Sequence, residues 1–243
     1  MSRIPKTIFQ TFKNDNFSEQ FREIVKTWKD KNPTYEYRFY SDEDCDTFIQ
    51  ANFDDRTYSA YKKILPGAYK ADMWRYCILY MYGGVYVDID TVCMNPIDMF
   101  LTPEIECMTV IDFNTGKEKH TLFNTFLATV PKFRVCLDCI QQIVYNVENN
   151  LIPTYKVDFC GPGLLGRKVN RYMNLPELSS YVGKQGLHTN IYLLAFEEKT
   201  EYVKDTKGNI LLQNKNGNQM LSYLYAIECR KANIVSWVTN RPF

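Results

Sequence analysis

The sequence predicts an α/β fold, with a Rossmann-like central sheet flanked by helices. Three observations carry this. The opening residues alternate strand-like and helix-like segments as β-α-β-α, the pattern of a layered α/β sheet. A helical stretch then meets a glycine pair and a short β-branched strand, continuing the alternation. That strand runs out in two aspartates, and ligand sites in such sheets lie beyond the carboxyl ends of the strands.

Residues 4–12 are apolar and β-prone and predict the first core strand. Ser18 is placed to cap a helix over 19–31, with Phe21, Ile24, Val25 and Trp28 on one face and a stop at Asn32-Pro33. Residues 35–40 alternate aromatic with charged or polar side chains and predict a second strand. Ser41 to Asp44 supplies a capping box for a short helix ending near Asn52. Pro66 suits the first position of the next helix, where its missing N–H is not needed. Ala71, Trp74, Cys77, Ile78 and Met81 recur there at helical spacing and predict one apolar face. Gly83 and Gly84 end that helix, and Val85-Tyr86-Val87 is the strand that follows.

Beyond Pro96 the expected elements are a strand near 106–113, a partly buried segment over 120–130 and a helix over 132–149. A glycine-rich turn at 161–163 leads into a helix around 167–174. Strands are expected at 192–196 and 201–203, with Gly208-Asn209 turning a hairpin into 210–212. Residues 223–228 are a late strand or helix. No repeat or linker interrupts the 243 residues, which read as one domain.

Apolar residues make up 45% and aromatics 15%, so the chain is globular rather than disordered. A formal net charge of +1 gives no electrostatic reason to expect nucleic acid as a partner. No signal peptide or apolar run long enough to span a membrane is visible. Eight irregularly spaced cysteines then argue for reduced thiols and a cytoplasmic setting, with peripheral membrane contact left open. Cys136 and Cys139 read as core thiols on a helix, because no second Cys or His pair completes a zinc site.

Asp88 and Asp90 carry the chemistry. Two carboxylates together at an apolar strand end are costly unless a cation sits between them, so both are candidate metal ligands. Oxygen ligands suit Mn²⁺ or Mg²⁺ bridging a diphosphate, which stabilises charge on a departing nucleoside diphosphate. The same residues match the D-x-D-x-T/V motif of haloacid-dehalogenase-like phosphatases, with Asp88 as nucleophile. That reading lacks a downstream acidic pair and gives residues 70–76 no role. Asp72 and Arg75, three apart on one helix face, are on spacing alone an ordinary surface ion pair.

In combination the residues resemble the glycosyltransferases with a D-x-D sugar-binding region, a family that includes yeast α-1,6-mannosyltransferase and capsular polysaccharide transferases. The resemblance rests on Ile4 to Thr11, on Trp28 with Asn32-Pro33-Tyr35-Glu36-Tyr37, and above all on Ala71 to Tyr76 followed by Tyr82 to Thr91. Gly161-Pro162-Gly163 and Ser236-Trp237 are weaker landmarks.

The resemblance implies a GT-A fold and transfer from a UDP- or GDP-sugar to a glycan or other hydroxyl acceptor with retention. Residues 1–100 would form the nucleotide-sugar half and 101–243 the acceptor side and a C-terminal lid. It implies that Asp90 binds the metal, that Asp88 meets the donor ribose or the metal through water, and that Tyr86 lies against the nucleoside. Asp72 and Arg75 would reach donor-sugar hydroxyls, and Ile8, Phe9 and Gln10 would border the base. Ser236 and Trp237 would close over the diphosphate. Gly161 and Pro162 form either a turn or an acceptor loop.

Two departures stand out: Phe9 where many relatives have histidine, and no histidine ahead of Ser236-Trp237. Glu228 is the oxygen ligand offered in its place. A sugar-nucleotide-binding protein without transfer activity is the non-enzyme alternative.

Overall fold

A computed structural model of the chain describes residues 2–112, 119–151, 153 and 156–214. The expected element over 223–228 lies outside the described residues, as do Glu228, Ser236 and Trp237.

The chain begins β1 (Thr7–Thr11), α1 (Glu19–Lys31), β2 (Glu36–Tyr40) and α2 (Asp42–Asn52), as the sequence predicts. The Ser18 side chain accepts from the Phe21 N–H, and the predicted face of Phe21, Ile24, Val25 and Trp28 is buried. Ser41 and Asp44 form the reciprocal capping box. A helix the sequence reading left out follows, α3 (Asp55–Lys63), capped by Asp54. Then come α4 (Gly67–Tyr82), β3 (Gly84–Val87) and β4 (Thr91–Cys93).

Two details of α4 differ from expectation. Pro66 is the cap residue just ahead of the helix, with ψ 129°, rather than its first turn. The helix also has no single apolar face. Residues 72–79 are all buried, whereas Ala71 and Met81 are only half-buried. The reason is that α4 is covered from several directions, by α2, α5 and the sheet.

The second half supplies β5 (Cys107–Ile111), β6 (Leu122–Thr129), α5 (Arg134–Glu148), α6 (Pro162–Tyr172), β7 (Gly186–His188), β8 (Ile191–Glu197), β9 (Tyr202–Lys204) and β10 (Ile210–Asn214). The segment expected at 120–130 is thus a full strand, paired antiparallel on both sides with β3 and β5. The Gly208-Asn209 hairpin is present as the β9–β10 pair. Helix α6 starts at Pro162, five residues ahead of the expected 167, because Gly161 is its cap and Pro162 fits the first turn.

The described strands form one sheet, in the order β2-β1-β3-β6-β5-β8-β9-β10-β4, with β7 on β8. Strand β1 pairs parallel with β2 on one side and with β3 on the other. The chain therefore moves outward from β1 in one direction and later in the other, which makes the β1/β3 boundary a switch point where a crevice opens.

Alternation along these strands divides the core. Phe9 and Tyr86 face the cluster of α4, α5 and α6, whereas Ile8, Val85 and Val87 face the other side of the sheet. Cys136 and Cys139 are buried on α5 as expected, and all seven described cysteines are free thiols.

The turn from α4 into β3 requires its glycines. Gly83 has φ +63°, and a Cβ there would lie 2.6 Å from the Pro131 nitrogen. Gly84 has φ +100°, and its Cβ would lie 2.8 Å from the Thr7 carbonyl oxygen. The reversal sends β3 back along α4. Arg75 lies eight residues ahead of Gly83, roughly 12 Å of helix, and β3 returns about 13 Å before Asp88. The middle of α4 and the end of β3 thus meet at one level.

Candidate active site at the aspartate turn

Strand β3 ends at Val87, so Asp88 and Asp90 lie in a turn rather than on one face of a strand. The turn is closed by Thr91, whose N–H and hydroxyl both donate to the Asp88 carbonyl, at 3.2 and 2.7 Å. Ile89 between the aspartates is buried against Phe21, Ile24 and Val25 of α1. Trp28 Nε1 donates to the Thr91 carbonyl at 2.7 Å. Gln10, at the end of β1, donates to the Asp88 carbonyl at 3.1 Å and accepts from the Tyr37 hydroxyl at 2.9 Å. The turn is thus fixed from α1, β1 and β2, and Asp90 is half-buried within it.

On the α4 side the key group is Arg75. Its guanidinium lies 4.3 Å from the Tyr86 ring centroid, and its side chain is 5% exposed. Each of its three nitrogens has a protein acceptor. Nε donates to the Ala71 carbonyl at 3.3 Å, and one terminal nitrogen donates to the Asn124 carbonyl. The other lies 3.1 Å from Asp72 Oδ1 and 3.4 Å from Asp88 Oδ1. One cation thus holds two carboxylates that would otherwise repel. Asp72 and Arg75 are not a surface pair: both are buried, and Asn124 Nδ2 donates to Asp72 Oδ1 at 2.8 Å while the Cys160 thiol donates to Oδ2 at 3.1 Å. Burial raises the Asp72 carboxyl above the usual carboxylate range, with Arg75 working against it.

Tyr86 is 1% exposed, with its hydroxyl donating to Asp88 Oδ1 at 2.7 Å. Burial pushes this phenol well above its ordinary range, so it is a steady O–H donor. In this arrangement Tyr86 orients Asp88 and stacks on Arg75, and its ring is not open to a nucleoside. Ile8 and Phe9 are likewise fully buried, in the two cores on opposite faces of β1. Of the three β1 residues expected to border a base, Gln10 is the one whose side chain reaches the aspartate turn.

From the second half, the loop ahead of α6 comes up against Asp72. A Cβ on Gly161 would lie 3.2 Å from Asp72 Oδ2. The loop is pinned by Asp158, which is paired with His120 at 3.2 Å and with Arg167. Gly163 packs so close that a Cβ there would lie 2.0 Å from Asp158 Oδ1. Asn124, Cys160, His120 and Asp158 were not singled out from sequence, since nothing local to them marks the contacts they make.

Asp88 and Asp90 are hard oxygen donors, which fits Mn²⁺ or Mg²⁺. Among the described residues no group of three His, Cys, Asp or Glu is placed to hold a metal by itself. A pair of carboxylates completed by diphosphate oxygens and water is the usual arrangement for such a cation.

Residues 18–106 match the family model described as a glycosyltransferase sugar-binding region containing a DXD motif. Over 104 residues the chain is 36% identical to the initiation-specific alpha-1,6-mannosyltransferase of Candida albicans, covering 40% of this chain and 27% of that one. It is 30% identical over 152 residues to a mannosyl phosphorylinositol ceramide synthase of Saccharomyces cerevisiae, covering 62% of this chain and 38% of that one. The matched part thus spans well under half the length of these relatives. Among solved structures, the PaToxG glycosyltransferase superposes with a TM-score of 0.55 at 15% identity, covering 70% of each chain. At that identity the likeness speaks for the fold, which is GT-A, with a central sheet flanked by helices. The chain thus has the GT-A fold, and its residues 18–106 match the sugar-binding region of DXD-containing glycosyltransferases.

Proposed function

We propose that this chain is a metal-dependent glycosyltransferase, moving a sugar from a UDP- or GDP-sugar to a glycan or other hydroxyl acceptor with retention of configuration. The observation that carries the reading is the joining of Asp72 and Asp88 through Arg75 at the carboxyl end of β3, within the DXD-family match. A divalent cation bound by Asp88 and Asp90 would supply Lewis-acid stabilisation of the leaving diphosphate. The protein's own part is positioning. Tyr86 and Arg75 fix the Asp88 carboxylate, Gln10 and Thr91 fix its backbone, and Asp72 offers an acceptor to a donor-sugar hydroxyl. Asp72 and Asp88 are held by hydrogen bonds and an ion pair, which suits binding better than nucleophilic attack. We therefore favour a front-side route in which the departing phosphate takes the acceptor proton.

Glu228 as a further metal ligand, and Ser236 with Trp237 as a lid, belong to this proposal. So does the working of residues 1–243 as one domain, supported by the single sheet that runs through both halves. Free buried thiols support a reducing, cytoplasmic setting. Among the described residues no helix is long and apolar enough to cross a membrane. The two relatives' names make mannose the first donor sugar to screen. The fold shared with a glycosyltransferase, and the engagement of Asp88 Oδ1 by Tyr86, go against the phosphatase reading.

Incubation with GDP-mannose or UDP-glucose and Mn²⁺ is expected to release nucleoside diphosphate slowly, and Asp90→Ala to abolish that release. Release that survives the substitution, or that needs no metal, counts against the mechanism. A product with inverted linkage by NMR would sink retention.

A further inference from the structure

An open cavity of about 570 Å³ lies between α3, α5 and the last turn of α4. That volume is within the range of sites that hold small ligands. Its lining shares no residue with the aspartate turn. Tyr80, at its edge, is eight residues beyond Asp72 on α4, about 12 Å along the helix. The floor is apolar, with Ile140 and Val144 of α5 both buried and one turn apart. Beside them on the same helix, Gln141 and Tyr145 stand one turn apart at the surface. Tyr145 is 50% exposed. Among the described residues the Gln141 amide and the hydroxyls of Tyr80 and Tyr145 make no hydrogen bond.

Two cations frame the opening. The Lys132 N–H donates to the Tyr80 carbonyl at 2.7 Å, and its ammonium lies 4.4 Å from the Tyr80 ring centroid. These contacts hold its backbone at φ +58°, which is uncommon for lysine. Arg56 of α3 donates to both oxygens of Glu148, which clamps α3 to α5 beside the cavity. With Asp54 also in the lining, the cations are matched by as many carboxylates, and no net charge calls for an ionic ligand.

We propose that this cavity is a second saccharide site, holding a neutral stretch of the acceptor glycan apart from the point of transfer. That the glycan is an acceptor rests on the glycosyltransferase reading. A sugar ring presents apolar C–H faces and a rim of hydroxyls that both donate and accept. The cavity offers the complement, an apolar floor with a half-exposed aromatic ring, edged by amide, phenol and ammonium groups. A lipid tail would take those polar groups out of water without pairing them. One ring and a few hydrogen bonds bind a short sugar weakly. A single glycan reaching both places gains from its tether, so the site favours long acceptors over short ones.

NMR titration with maltotriose, cellotriose and mannotriose tests this. One of the three is expected to bind wild type, with Tyr145→Ala weakening it about tenfold and Gln141→Ala about fivefold. Both side chains are at the surface, so the melting temperature should hold. Release of nucleoside diphosphate from GDP-mannose or UDP-glucose with Mn²⁺ should stay within about twofold of wild type. Binding of none of the three, or binding that Tyr145→Ala leaves unchanged, overturns the second site. So does a cavity that takes the amphipathic anion anilinonaphthalene sulfonate and no trisaccharide. Tyr145-dependent binding by a protein that turns over no sugar nucleotide overturns the transferase reading and leaves the saccharide site standing. Turnover without such binding overturns the site alone.

Discussion

Tyr86 shows at the scale of a residue how burial changes a role. The family resemblance implies a nucleoside contact for it, yet the ring packs against Trp74 and the Arg75 guanidinium, with its hydroxyl on Asp88. Tyr86→Phe keeps the ring and removes one charge-assisted hydrogen bond. We expect kcat/KM for donor hydrolysis to fall by about tenfold, with a change in Tm of only a few degrees. An unchanged kcat/KM would show that Asp88 needs no such support. Arg75→Ala is a harsher change, since it leaves the buried Asp72 and the half-buried Asp88 without their shared cation. Urea unfolding should report a loss of about 3–5 kcal/mol, typical of breaking a buried ion pair. A loss under about 1 kcal/mol, the range of an exposed pair, would contradict the burial argument. Asp72, Arg75, Asp88 and Asp90 were legible as candidates because they fall within the one stretch that carries the family resemblance, whereas spacing alone made the first two a surface pair. Asn124 and Cys160 were not. They reach Asp72 across 52 and 88 residues of chain, and no local pattern encodes such a contact.

The element on which the site depends is the hairpin-like unit of α4, the glycine pair and β3. Gly84 combines a left-handed φ with the approach of the Thr7 carbonyl, so both strain and collision oppose a side chain there. Gly84→Ala is expected to destabilise the fold by about 2 kcal/mol or more in urea unfolding, and a neutral effect would mean that β1 and β3 can separate at no cost. Helix α1, its Ser18 cap and the capping box of α2 were readable because caps and periodicity are local. The all-round burial of α4 was not, because periodicity reports contrast between faces and a helix enclosed on several sides has little. Strand β6 escaped similar reading. Seven of its eight residues are buried, so it lacks the alternation that marks a half-exposed strand.

Across the whole molecule, the sheet brings two regions of different legibility to one site. The switch point between β1 and β3 sets the end of the sheet at which a ligand is expected, and Asn124 of β6 and Cys160 of the 158–161 loop reach Asp72 from the second half of the chain. The donor side is written in contiguous residues, whereas the opposing wall is assembled from distant ones. No disulfide links the seven described cysteines, so a reductant should leave the melting temperature unchanged, and a fall of several degrees would reveal a stabilising bond elsewhere in the chain. The proposed mechanism requires a divalent cation bound at the aspartate turn together with a nucleoside diphosphate. The most direct measurement is anomalous diffraction from crystals grown with Mn²⁺ and GDP or UDP. A manganese peak in contact with the Asp90 carboxylate and the diphosphate oxygens is the predicted result. A nucleotide bound there with no manganese peak, or manganese bound away from Asp88 and Asp90, would contradict it.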